Sequence, residues 1–161
     1  MAESNLVEEP ADSRALPAIL AAGLLCGVMD ITAAFLIWVP KGVSPGRLLQ
    51  AIAGGLLGPA AFREGWTASA LGLAIHFLIA FIAAGIFYAA SKRLPTLVDH
   101  PWIAGMGYAL AVYGFMYWVV MPLDRMRRGP VTLSYTLTAI ITHIVCVGLP
   151  ISLVIHRFAR S

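Results

Sequence analysis

Charge is scarce in this chain. Asp, Glu, Lys and Arg make up 12% of its 161 residues, about half the share found in an ordinary soluble domain. Such a chain lacks the densely charged surface that keeps a globular protein in water. Cysteine is nearly missing as well. Cys26 and Cys146 are the two present, too few for the disulfide framework of a small secreted scaffold. Both stand in apolar runs, where cysteine serves as a small packing residue. There is no phosphate-cradling glycine loop, no H-E-x-x-H and no C-x-x-C, so these signatures of nucleotide, zinc and redox enzymes fail. The chain is expected not to be an enzyme. The positively charged start of a secretory signal is also lacking, since Glu3, Glu8, Glu9 and Asp12 precede the single Arg14. Residues 1–15 are expected to form a disordered acidic tail, followed by an uncleaved first span.

What the chain has in abundance is apolar sequence: 60% of residues are hydrophobic and the mean hydropathy is +0.84. A bilayer core roughly 30 Å thick takes about 20 apolar residues per helical crossing. Four stretches qualify, Leu16–Trp38, Thr67–Ala90, Trp102–Met121 and Ser134–Ile155. They use up most of the chain, so the predicted fold is all-α, a single domain over residues 16–158 forming an integral membrane bundle of four transmembrane helices. Its principal partner is the lipid bilayer. The net charge of +3 does not point to nucleic acid, because the basic residues stand singly or in small groups at span ends, where side chains anchor to headgroups. No basic stripe is interleaved with aromatics. Trp38, Trp66, Trp102 and Tyr117 or Trp118 fall near span ends, as an interfacial aromatic belt requires.

Pro17 falls in the first turn of the first span, where proline is tolerated. Gly23, Gly27, Ala33 and Ala34 then recur at helical spacing with Asp30. Pro40, Gly42, Pro45 and Gly46 end that helix, and Ser44-Pro45 has the form of a cap and first turn. The stretch from Arg47 to Phe62 is apolar and glycine-rich but broken by Pro59, which predicts an interfacial or re-entrant segment. The second span aligns Ser69, Gly72, His76, Ala80 and Ala83. The third aligns Gly107, Ala111, Gly114 and Trp118, with Tyr113 and Tyr117 on a neighbouring face. The fourth aligns Thr136, Ala139, His143 and Val147, and Pro150 is expected to kink it. Membrane helices associate through small residues that let backbones approach, so these four faces are predicted to form the bundle interior.

Asp30 is the one strongly charged residue well inside a span. An ionised acid at mid-membrane costs a few kcal/mol or more, so such residues turn inward and find a partner. At roughly 1.5 Å per residue, Asp30, His76, Tyr113 and His143 fall into one layer. That layer supports three functional readings: a proton or ion relay, a metal site, or haem ligated by His76 and His143. A structural reading stands beside them, in which an Asp–His–Tyr–Thr hydrogen-bonded cluster locks the helices in register. Neither histidine has a second ligand three or four residues away, so no ligand-spacing motif supports a metal, and no cofactor is expected.

These features resemble a group of bacterial four-helix inner-membrane proteins of unknown function, including the YagU-like proteins. The resemblance is carried by Gly23-Leu24-Leu25-Cys26-Gly27-Val28-Met29-Asp30, by Ala74-Ile75-His76-Phe77, by Val120-Met121-Pro122-Leu123 and by Thr142-His143. It implies a multi-pass protein of the inner membrane with both termini in the cytoplasm, and the YagU-like branch suggests a link to acid tolerance. The long, cysteine-containing first connection of that branch is absent here. Loop charge sets no orientation: Arg14, Lys92, Arg93, Arg157 and Arg160 stand on one side, and Lys41, Arg47, Arg63, Arg125, Arg127 and Arg128 on the other. Four short helices leave little room for a cavity, so a role in moving protons or a small solute requires a homo-oligomer. Membership of a larger membrane complex as an accessory subunit is the remaining expectation.

Overall fold

The computed structural model describes residues 14–125 and 132–160. Most of the acidic tail expected over residues 1–15 lies outside them, as do Arg127 and Arg128 of the third connection. Arg14 is a turn residue and Ala15 already begins the first helix.

Every regular element among the described residues is helical. Helix α1 runs Ala15–Trp38 and α2 Pro45–Leu57. The long helix α3 covers Gly65–Arg93, and α4 is the single turn Thr96–Asp99. Helices α5 and α6 are the third and fourth spans, Pro101–Leu123 and Leu133–Arg160. The spans α1, α3, α5 and α6 are long and apolar enough to cross a membrane. At 29 residues, α3 is about 43 Å long, more than the hydrocarbon thickness, so it must tilt or extend past it.

The boundaries follow local chemistry. After α1 a 3₁₀ turn at Val39–Lys41 closes on Gly42, whose φ of 87° is open to glycine and strained for most other residues. Ser44 caps α2 by accepting the Arg47 N–H at 3.3 Å, and Pro45 opens its first turn. Pro122 and Pro150 do not break their helices. Each follows a single wide π-turn, Met116–Val120 in α5 and Ile144–Gly148 in α6. A proline ring clashes with the carbonyl four residues earlier, and widening the preceding turn makes room for it.

Helix α1 sits at the centre, packed against α3 on one side and α6 on the other. Helix α5 packs on α6, and α2 lies across the first half of α3. The predicted interfacial segment is therefore a regular helix as far as Leu57, followed by a 3₁₀ turn at Gly58–Phe62, and the helix docks on the second span. Its seat is made by glycine. A Cβ at Gly72 would collide with the Leu49 carbonyl of α2, and one at Gly148 in α6 with the Gly105 carbonyl of α5. Gly23 and Gly27 of α1 receive the rings of Phe81 and Phe77.

One predicted interior face is corrected. In α5, Gly107, Ala111 and Trp118 are exposed, and a Cβ at Gly107 would meet open space. The buried residues are Pro101, Gly105, Ala109 and Gly114. Helix α5 carries two small-residue stripes, and the Gly105 stripe faces inward because its backbone meets Gly148.

Packing quality divides the bundle in two. The main core joins Ala22 and Cys26 of α1 to Ala80, Ala83, Ala84 and Phe87 of α3 and to Val147, Ile151 and Ile155 of α6. All of this lies in the half near the second connection. There Ser152 Oγ donates to the Pro101 carbonyl at 2.7 Å and Tyr108 Oη to the Ala83 carbonyl at 2.7 Å. In the half near α2, by contrast, neither Leu133–His143 nor Met116–Val120 contains a buried residue.

Candidate intramembrane polar site

Asp30 stands at the border between these halves. It is half-buried, one turn beyond the buried Cys26 on α1 and within electrostatic reach of Cys146 on α6. Among the described residues it makes no ion pair and no side-chain hydrogen bond. An acid left thus in hydrocarbon costs a few kcal/mol or more when ionised, so its surroundings must supply either a proton or water.

His76 lies at the interface of α3 with α1. Its Nε2–H donates to the Gly27 carbonyl at 2.9 Å, and a carbonyl can only accept, so that nitrogen carries a proton. Phe77 meets the His76 ring edge-on at 5.5 Å and also fills the space over Gly27. His143 lies at the interface of α6 with α5. Its Nδ1–H donates to the Ala139 carbonyl one turn back at 2.8 Å, which leaves Nε2 free to accept. Tyr113 meets that ring edge-on at 5.6 Å and stacks on Tyr117 at 6.1 Å.

The structure thus brings His143 and Tyr113 together and places Tyr117 beside them. It does not join either histidine to Asp30 or to the other histidine. The two imidazoles occupy different helix interfaces, so they do not form the facing pair that bis-histidine haem ligation needs. Among the described residues no three His, Cys, Asp or Glu side chains are grouped to hold a metal ion. The hydrogen-bonded Asp–His–Tyr–Thr cluster is also absent from the described residues, because both histidines bond backbone carbonyls instead. Of the other basic groups, Arg160 approaches Asp99 at 3.9 Å and His156 bonds the Val98 carbonyl, both near the second connection.

Two further polar positions take their meaning from the fold. Gln50 of α2 is 8% exposed and donates from Nε2 to the Gly65 carbonyl at 2.8 Å, while its Oε1 is buried without a partner. Gly42-Val43-Ser44-Pro45-Gly46 fits the G-x-S-x-G string of hydrolase nucleophile elbows, which need a strand before the serine and a helix after it. Here a 3₁₀ turn precedes it, and Ser44 Oγ caps α2. The match carries no chemistry.

No protein-family model, curated protein or solved structure matches this chain. The resemblance to YagU-like proteins therefore rests on short motifs alone, and the geometry of the bundle carries the functional argument.

Proposed function

We propose that this multi-pass protein is a non-enzymatic component of a bacterial inner membrane, in which Asp30 takes up and releases protons as an oligomer passes protons or a small solute. One observation carries the reading: a carboxyl well inside a span, half-buried, with no ion pair or hydrogen bond among the described residues. A purely structural acid would be expected to hold a partner, since an unpartnered charge in the membrane is a net cost. Asp30 instead lies within electrostatic reach of Cys146, one turn along α6 from His143, whose ring meets Tyr113 and whose Nε2 has unused hydrogen-bonding capacity. The uncovered Gly107 and Ala111 stripe of α5 supports assembly, because small residues let a second helix approach closely.

The test is proton uptake into sealed vesicles containing the purified protein and a trapped pH indicator, driven by an imposed pH step. Asp30→Asn is expected to lower the protein-dependent rate at least about tenfold while helix content and elution volume stay unchanged, as removal of a positioned proton-transfer group does. An unaltered rate in a folded Asp30→Asn protein contradicts the proposal.

A further inference from the structure

We infer that water enters this bundle from the α2 face only and stops at Asp30, so that the carboxyl exchanges protons with one side of the membrane. The inference rests on the proton-carrying reading of Asp30 and adds the side from which it is reached.

Three observations converge on it. The first is packing. Leu133–His143 and Met116–Val120 contain no buried residue, while on the far side of Asp30 the bundle closes around Ala22, Cys26, Ala84, Phe87, Ile151 and Ile155. Helices α3 and α5 meet in the closed half, where Tyr108 reaches the Ala83 carbonyl and its ring lies 5.0 Å from Phe87. In the open half α3 packs instead on α2, and the α2 backbone is met by the chain just beyond α5, where the Arg125 N–H reaches the Gly55 carbonyl.

The second is unmet polarity. No hydrogen bond among the described residues reaches the Tyr113 or Tyr117 hydroxyl, and His143 Nε2 is left over once Nδ1 has bonded Ala139. Lipid tails can satisfy none of these groups, and water satisfies all of them. The third is position. Tyr113 and Tyr117 are a turn apart on α5, and His143 faces Tyr113. Trp38 meets Tyr135 near the membrane face that also bears α2. The groups needing water thus run from that face toward Asp30. The closed half has no such run, because Ser152, Tyr108 and Ser91 each bond a backbone carbonyl.

The experiment is side-specific thiol labelling. In a Cys26→Ala, Cys146→Ala background, single cysteines are placed in the open half (Tyr117→Cys, Ala139→Cys) and in the closed half (Ala84→Cys, Ala109→Cys). Sealed vesicles of one orientation are treated with a membrane-impermeant, charged methanethiosulfonate added outside or trapped inside. The open-half cysteines are expected to react from the α2 side and at least about tenfold more slowly from the other, and the closed-half cysteines from neither. Equal labelling of Tyr117→Cys and Ala139→Cys from both sides, or labelling from neither, overturns the inference. The proton reading is judged separately. One-sided labelling with unchanged proton uptake in Asp30→Asn would sink that reading and leave the water path standing. A loss of uptake without labelling would do the reverse.

Discussion

The two halves of this bundle are built from nearly the same residue types and pack very differently. Near the second connection, Gly105 and Gly148 bring α5 and α6 into backbone contact, and Ala22, Ala84 and Ile151 are fully buried. Near α2, alanines 33, 34 and 139 occupy comparable helix positions and remain half-exposed. The difference lies in what faces each small residue. A glycine opposite a glycine or a ring closes an interface, as at Gly105 against Gly148 and Gly23 against Phe81, whereas the stretches that carry Tyr117 and His143 bury no residue. One half is a fastener and the other carries unused polar chemistry.

The largest expected effect comes from the fastener. Gly148→Leu should abolish the native bundle, because its side chain would lie in the backbone of α5. Gly148→Ala should cost about 1–3 kcal/mol, the usual range for overpacking. Reversible unfolding in mixed micelles measures both, and a Gly148→Leu protein as stable as the parent would erase the distinction between the halves. Tyr108→Phe removes the bond to the Ala83 carbonyl and should cost about 0.6–1.7 kcal/mol, the range for hydrogen bonds between membrane helices. Tyr113→Phe removes a hydroxyl that bonds nothing among the described residues and should be at least about 0.5 kcal/mol milder in the same assay. Equal losses would mean that the open half is held as firmly as the closed one.

Gln50→Leu should stay within about 1 kcal/mol of the parent, since losing the Gly65 bond is offset by removing the unpartnered Oε1. The smallest effect is expected from Gly107→Ala, whose new methyl meets open space and should change monomer stability by under about 0.5 kcal/mol.

Four spans, a Ser44-Pro45 cap, the Gly23 and Gly27 side of α1 and the Gly72, Ala80 and Ala83 side of α3 are legible from hydropathy and from the spacing of small residues. Ala33 and Ala34, read into the same face of α1, are half-exposed. The inward face of α5 is not legible in this way. Gly107-Ala111 and Gly105-Ala109 have the same period, and only the partner glycine on α6 selects between them. Pro150 announces a perturbed helix, and the form the perturbation takes, a π-turn over Ile144–Gly148, depends on how α6 packs. Asp30, His76, Tyr113 and His143 stand out in sequence because they are polar residues in apolar runs. Their bonding is hidden, because His76 and His143 pair with the carbonyls of Gly27 and Ala139, and every residue offers a carbonyl. The division into a closed and an open half is equally hidden, since it depends on which side chain lies opposite each small residue.

The most direct test of that division is residue-resolved hydrogen exchange of the parent protein in lipid nanodiscs. The account predicts that amides in Leu133–His143 and Met116–Val120 exchange at least about 100-fold faster than those in Leu149–Ile155, because water reaches the open half and neither of these two stretches contains a buried residue. Equal protection along the whole length of α6 would contradict it.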